Sequence, residues 1–143
     1  MHENQIASIV VDSCLRVHKA LGPGLLESVY ETYLERDLIN RGVRVRRQVG
    51  LPVIYDGLKL EDGFRIDLLV EERVIVEVKS VEDLAPVHFK QVLTYLKLSE
   101  RKLALLVNFN VNLLKEGLRR VVNGLDESPP TSAPLAGMEA VES

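Results

Sequence analysis

Two short β-branched runs near the middle of the chain constrain its fold more than any other feature. Residues 65–70 (RIDLLV) contain Asp67, and residues 74–79 (VIVEVK) contain Glu77 and Lys79. Side chains alternate between faces along a strand, so Glu77 and Lys79 project from the same face. A tight hairpin between the runs would place Asp67 beside them on the adjacent strand. Two carboxylates and an ammonium group on one patch of sheet can hold a hard divalent cation and activate a water molecule.

The second run also permits a simpler interpretation. Its three valines could form the buried face of a half-solvated strand, which would leave Glu77 and Lys79 in solvent. Alternation of this kind is common in sheets. The triplet Glu-Val-Lys therefore does not decide by itself between a functional site and a solvated face.

A glycine-rich break followed by a helical pattern supplies a further acidic residue. A Gly-Pro-Gly sequence at residues 22–24 ends the preceding segment, and apolar residues at helical spacing continue to Leu34. Glu27 and Tyr30 lie three residues apart and so lie near one another on this helix. The simpler interpretation is that Glu27 stabilises the first turn through the helix dipole.

A later helical pattern carries a glutamine and a tyrosine on one face. Pro86 is a favourable early helix residue, and helical periodicity follows it through residue 98. Gln91 and Tyr95 are four residues apart and share a face. A helix with a polar glutamine and a half-buried tyrosine is also common without any functional role.

Taken in chain order, these elements resemble the PD-(D/E)xK nuclease superfamily. The ordered set consists of Glu27, Asp67, Glu77-x-Lys79 and Gln91-x-x-x-Tyr95. Residues 24–30 (GLLESVY) resemble the GxxExxY family within it, and the last motif is similar to that of RecB-like nucleases. The resemblance covers roughly residues 6–122, and it departs from the superfamily pattern at Ile66, where a proline would precede the aspartate.

The resemblance implies a fold and an activity. The fold is a restriction-endonuclease-like α/β sandwich, with a central mixed sheet flanked by helices. The activity is metal-dependent hydrolysis of phosphodiester bonds in nucleic acid, with DNA expected before RNA. A non-cleaving nucleic-acid- or protein-binding module on the same fold is the alternative, and an unrelated small α/β interaction domain also stays open. A homodimer or a partner protein is compatible with each of these.

The resemblance also implies roles for individual residues. Asp67, Glu77 and the Val78 carbonyl would bind Mg²⁺ or Mn²⁺, and Glu27 would reach the metal directly, through water or by holding a second ion. Lys79 would orient the attacking water and neutralise charge in the transition state. The other two residues, Gln91 and Tyr95, would position the metal-site side chains or the scissile phosphate.

Charge distribution points to one candidate surface for a polyanion. Four of the 21 acidic residues lie after Leu125. The acidic residues before that point nearly balance the 18 basic residues, so this part of the chain is close to neutral. Arginines cluster within it, and we expect Arg44, Arg46 and Arg47 to contact nucleic acid. A merely solvated basic face is the alternative.

Length and composition predict one folded domain over residues 1–125 and a disordered polar tail over residues 126–143. The 143 residues are 46% hydrophobic, and the tail begins with a proline-rich polar segment. We expect helices over residues 6–20, 25–40 and 86–98, and a last helix from Asn112 to Val122. Strands are expected over residues 43–49 and 51–55, and Asp56-Gly57 predicts a tight hairpin turn after the second of them. No apolar run has transmembrane length and no signal-peptide pattern opens the chain, so we expect a cytoplasmic protein. The single cysteine, Cys14, is expected to be a small core residue.

Overall fold

The structure is a computed structural model that describes residues 1–126, together with the backbone of residues 139–142. The helices in this part of the chain are α1 (Glu3–Leu21), α2 (Glu27–Asn40) and α3 (Pro86–Ser99). The strands are β1 (Val45–Tyr55), β2 (Leu58–Val70), β3 (Val74–Lys79), β4 (Leu103–Asn108), β5 (Leu118–Val122) and β6 (Glu139–Glu142), and a 3₁₀ turn spans Leu114–Glu116.

The strands form one mixed sheet whose spatial order follows the chain order. β1, β2 and β3 pair antiparallel, β3 and β4 pair parallel with α3 as the crossover, β5 is antiparallel to β4, and β6 is parallel to β5. One apolar cluster joins α1 and α2 to one face of the sheet, and a second joins α3 to the other face. The predicted α/β sandwich with a central mixed sheet is therefore confirmed.

Helix α1 shows how the sequence produces this layering. Its buried residues Ile6, Val10, Cys14 and Val17 recur every three or four positions, which places them on one face of the helix. They pack against the sheet, and Cys14 is a small core residue as expected. Burial raises the pKa of its thiol, which therefore stays protonated and unreactive.

Strand β3 is buried on both faces because helices cover both sides of the sheet. Val74 to Val78 are all buried, and Lys79 at the end of the strand is half-buried. Glu77 is 5% exposed, so the interpretation that leaves this residue on a solvated face is wrong. Continuous burial is usual for strands in parallel pairs, whose two faces both carry helices.

The β1–β2 hairpin extends past the rest of the sheet and forms a projecting arm, residues 51–64. β3 pairs with β2 only at Leu68–Val70, so the arm lacks a neighbour on that side. Asp56 and Gly57 both have positive φ, as a two-residue hairpin turn requires, which confirms the predicted turn. A bulge interrupts the register between Leu51 and Val53, and Gly63 lies where an added Cβ would be 2.3 Å from the Val53 side chain.

The predicted last helix from Asn112 to Val122 is wrong. Residues 114–116 make only a 3₁₀ turn, and Leu118–Val122 forms β5 along the edge of β4. Short apolar runs fit helix and strand periodicity about equally well, and β4 offers backbone groups that a helix would leave unpaired. The two separate strands predicted within residues 43–55 likewise form one bulged strand, β1.

The predicted disordered tail differs from the structure at four of its residues. The backbone of Glu139–Glu142 forms β6 beside β5, whereas residues 127–138 and 143 lie outside the described part of the chain. Strand pairing uses backbone groups, so a polar composition does not prevent it.

Within the described residues, no helix has the length and apolarity needed to cross a bilayer.

Candidate active site

Asp67 and Glu77 lie side by side on β2 and β3 and are locked together by backbone hydrogen bonds. The Asp67 N–H donates to Glu77 Oε1 over 3.1 Å, and the Val78 N–H donates to Asp67 Oδ2 over 2.8 Å. Each carboxylate thus accepts a hydrogen bond from a backbone N–H of the strand that carries the other carboxylate. The predicted hairpin between the two runs is present, and it brings the two carboxylates together.

The carboxylate pair is electrostatically unfavourable in the metal-free chain. Burial and, second, the nearby charge of Asp67 raise the pKa of Glu77 to about 8, against the opposing effects of the Asp67 N–H bond and Lys79. Burial also raises the pKa of Asp67, although the hydrogen bond from the Val78 N–H opposes that change. At neutral pH the pair therefore retains a proton, because two adjacent carboxylates cannot both ionise readily in a buried site.

Glu27 is near the end of β3 and does not join the carboxylate pair directly. It is the first residue of α2, and its Oε2 accepts a hydrogen bond from the Ser80 N–H over 3.2 Å. The Ser80 hydroxyl donates to the Leu25 carbonyl over 2.6 Å. These two bonds fix the start of α2 against the residue that follows Lys79.

Tyr30, the last residue of the GLLESVY segment, has a structural position. Its hydroxyl donates to the Gly22 carbonyl over 2.5 Å and accepts from the Leu25 N–H over 3.1 Å. Its buried ring stacks on Phe109 with centroids 4.5 Å apart. Tyr30 thus holds the Gly-Pro-Gly turn in place, and this turn presents Glu27 to the end of β3.

Tyr95 lies within electrostatic reach of the carboxylate pair. Burial raises the pKa of its hydroxyl, and the charges of Glu77 and Asp67 raise it further. The Tyr95 ring stacks on Phe64 of β2 with centroids 4.7 Å apart. Gln91, one turn earlier on α3, is exposed. Gln91 and Tyr95 both line a cleft between α3 and the β1–β2 arm. The shared helix face predicted for these two residues is therefore present.

Two residues that the sequence did not single out connect to Asp67. The Gln48 side-chain amide donates to Glu31 Oε1 over 2.7 Å and to Asp67 Oδ1 over 3.3 Å. Gln48 has a φ of 53°, which is uncommon for a residue with a side chain. The position of Glu31 one turn after Glu27 was the available signal, whereas nothing local marks Gln48.

The three arginines expected to contact nucleic acid are each paired with a carboxylate. Arg44 Nε lies 3.6 Å from Glu71, and Arg46 makes a bidentate pair with Glu72 at 2.6 and 2.7 Å. Arg47 Nε donates to Glu31 Oε1 over 2.9 Å. Arg47 therefore belongs to the Glu31–Gln48 network, which extends from α2 to the carboxylate pair.

The residues present fit a hard divalent cation. The described part of the chain contains no cluster of three or more His, Cys, Asp or Glu side chains around one point. Mg²⁺ usually keeps several waters and takes only one or two protein carboxylates, so Asp67 and Glu77 suffice as side-chain ligands. A cation there would supply the positive charge that the paired carboxylates lack, and would favour the ionised form of both.

Comparison with known proteins gives one match. A family model of the PD-(D/E)XK nuclease superfamily matches residues 4–121, whereas no curated protein and no solved structure matches significantly. The matched range includes the carboxylate pair, Lys79 and the helices that carry Glu27 and Tyr95, and it covers well over half of the chain. From this match, and in agreement with its mixed α/β sandwich, the chain belongs to the PD-(D/E)XK nuclease superfamily.

Proposed function

We propose that this protein is a metal-dependent nuclease that hydrolyses phosphodiester bonds in nucleic acid, with DNA favoured over RNA as its substrate. The observation that carries the proposal is the adjacent pair of carboxylates, buried Glu77 and half-buried Asp67, with Lys79 two residues after Glu77 on the same strand face. Adjacent acidic groups removed from water are costly unless they have a function or a counterion. Superfamily membership supports nuclease chemistry at such a pair.

In this proposal Asp67, Glu77 and the Val78 carbonyl hold Mg²⁺ or Mn²⁺. A bound cation would polarise the phosphodiester and lower the pKa of a water molecule. The Val78 N–H fixes the Asp67 carboxylate, and the Asp67 N–H fixes that of Glu77, so both groups are oriented before substrate arrives. Gln48 restrains the other Asp67 oxygen from the side of α2.

Lys79 is the basic residue two positions after Glu77 on the same strand face. Its charge opposes the rise in the pKa of both carboxyl groups without reversing it. An ammonium there would neutralise negative charge that develops on the phosphate in the transition state. Gln91 and Tyr95 would position the phosphate or the Asp67 and Glu77 side chains from the α3 side.

Glu27 and the GLLESVY segment have an indirect role in this proposal. We infer that the segment is a GxxExxY signature in which Tyr30 holds the turn and Glu27 restrains the end of β3. Through the Ser80 N–H, Glu27 would set the position of Lys79, and it would reach the cation only through water or a second ion. Arg44, Arg46 and Arg47 would contact nucleic acid only by sharing or exchanging their carboxylate partners.

The test is cleavage of a panel of single-stranded, double-stranded and branched DNA and RNA, in Mg²⁺ or Mn²⁺ against EDTA. Lys79→Ala is compared with Lys97→Ala, an exposed lysine on α3, and Glu77→Gln with Glu82→Gln, an exposed glutamate. We expect metal-dependent cleavage that falls about 100-fold or more in the two site variants and is unchanged in the controls.

Three results would count against a nuclease. They are cleavage that persists in EDTA, equal cleavage by Lys79→Ala and Lys97→Ala, or no cleavage of any substrate by folded, metal-saturated protein. Binding without cleavage would instead support the non-cleaving module on the same fold. Sedimentation of the same sample would establish whether the active species is a monomer, a homodimer or a complex with a partner protein.

A further inference from the structure

A cleft separates helix α3 from the β1–β2 arm, and Tyr95, which interacts electrostatically with Glu77 and Asp67, is part of its lining. Gln91, Thr94, Tyr95 and Leu98 follow one another at helical spacing and line one wall. The opposite wall belongs to the arm and includes Val53, Gly63 and Phe64, and Lys90 completes the lining. The cleft has a volume of about 400 Å³, within the range of small-molecule sites.

The chemistry of the lining suits a flat, uncharged ring attached to an anion. Val53, Phe64 and Leu98 provide apolar surface, and Gln91 and Thr94 provide hydrogen-bonding groups. Lys90 is the basic residue of the lining, and none of the residues that line the cleft is acidic. Bases of nucleic acids stack on aromatic side chains and contact apolar walls, while a lysine pairs with the adjoining phosphate.

The surroundings favour an unpaired strand over a duplex. The arm beside the cleft exposes Ile54, Tyr55, Leu58 and Leu60, whose exposed fractions are 60% or more. A protein that follows duplex phosphates needs a row of available cations. The arginines at the base of the arm, Arg44, Arg46 and Arg47, already contact carboxylates.

We propose that the cleft between α3 and the β1–β2 arm binds an unpaired nucleobase next to the phosphodiester at Asp67 and Glu77. The substrate class is single-stranded nucleic acid, DNA or RNA, or a frayed or displaced strand of a duplex. This inference rests on the proposed nuclease function, because it treats Tyr95 as shared between the base cleft and the reacting phosphate. Packing of the base against Leu98 and Phe64 would then align the phosphate with the carboxylate pair.

The experiment measures binding without cleavage. All proteins carry Glu77→Gln, and fluorescence anisotropy follows labelled oligo-dT, oligo-U and a blunt mixed-sequence duplex in Mg²⁺. Leu98→Glu adds a negative charge to the cleft wall, and Val87→Glu adds the same charge at a similarly exposed position on α3, since these side chains are 46% and 53% exposed. Lys90→Ala and Lys97→Ala form a second matched pair. Circular dichroism verifies that each variant is folded.

We expect single strands to bind more tightly than the duplex. Loss of one base contact should weaken single-strand binding about fivefold or more in Leu98→Glu, and less than about twofold in Val87→Glu. Lys90→Ala should weaken it more than Lys97→Ala. Comparison of oligo-dT with oligo-U shows whether the cleft binds single-stranded DNA or single-stranded RNA more tightly.

Equal or tighter binding of the duplex, equal effects within each variant pair, or no binding at all would overturn the cleft assignment. Cleavage by the protein with Glu77 intact is measured separately. Cleavage that is insensitive to Leu98→Glu would overturn the cleft assignment and leave the nuclease proposal standing. Binding that depends on the cleft, without cleavage by the protein with Glu77 intact, would support the cleft assignment and overturn the nuclease proposal.

Discussion

Replacing Glu77 with glutamine should stabilise the metal-free protein at alkaline pH. In the folded state, burial and Asp67 raise the pKa of Glu77 from its ordinary 4.5 to about 8. Because the folded-state pKa lies above the unfolded one, the contribution of Glu77 to stability is complete below pH 4.5 and is lost as pH rises through about 8. A glutamine has no proton to lose, so its contribution does not change over this range.

The magnitude follows from the difference between the two pKa values. A difference of about 3.5 corresponds to at most about 5 kcal/mol, of which about 4 kcal/mol falls between pH 5 and pH 8.5. Relaxation and water entry around an ionised buried group reduce such penalties, so we expect a loss of about 2 kcal/mol in the wild type. The glutamine can still accept the Asp67 N–H bond and can donate to the Asp67 carboxylate.

Urea unfolding in EDTA at pH 5 and pH 8.5 measures this difference. Far-UV circular dichroism is the suitable signal because the chain has no tryptophan. Glu82→Gln, at an exposed position, accounts for the removal of one charge. Mg²⁺ should restore wild-type stability at the higher pH and have little effect on Glu77→Gln. Parallel pH dependences of wild type and Glu77→Gln, or a variant that is less stable at pH 8.5, would refute the reasoning.

Three further predictions concern the support of the site, the core and the cysteine. Gln48→Ala should lower metal affinity or cleavage about 10- to 100-fold through loss of its bond to Asp67; Gln48→Gly should do the same without loss of stability, because glycine accepts positive φ. Equal activity of wild type and both variants would exclude a role for the amide. Leu96→Ala should cost about 2–5 kcal/mol in urea unfolding, and the exposed Leu98→Ala less than about 0.5 kcal/mol; similar losses would contradict the described packing of α3. Cys14 should react with a thiol reagent only on unfolding, since burial raises its pKa, and rapid reaction of native protein would contradict this.

The local sequence was sufficient to predict the elements that have strong periodic or turn signals. The apolar repeats of α1 and α3 and the Asp56-Gly57 turn are encoded by neighbouring residues, because helix faces and two-residue turns depend on residues only a few positions apart. The segment from Asn112 to Val122 has no comparable signal. Its conformation depends on the edge of β4, which supplies backbone partners from a distant part of the chain.

The candidate site likewise depends in part on the local sequence and in part on tertiary contacts. The sequence alone determined which residues could form it, because Asp67, Glu77 and Lys79 lie on two strands that a short turn must pair. Only the tertiary structure decided that Glu77 is buried, because that depends on α3 covering one face of a sheet whose other face is covered by α1 and α2. It also brought Gln48 of β1 to Asp67 and to Glu31 of α2, contacts across 19 and 17 residues that no local pattern specifies.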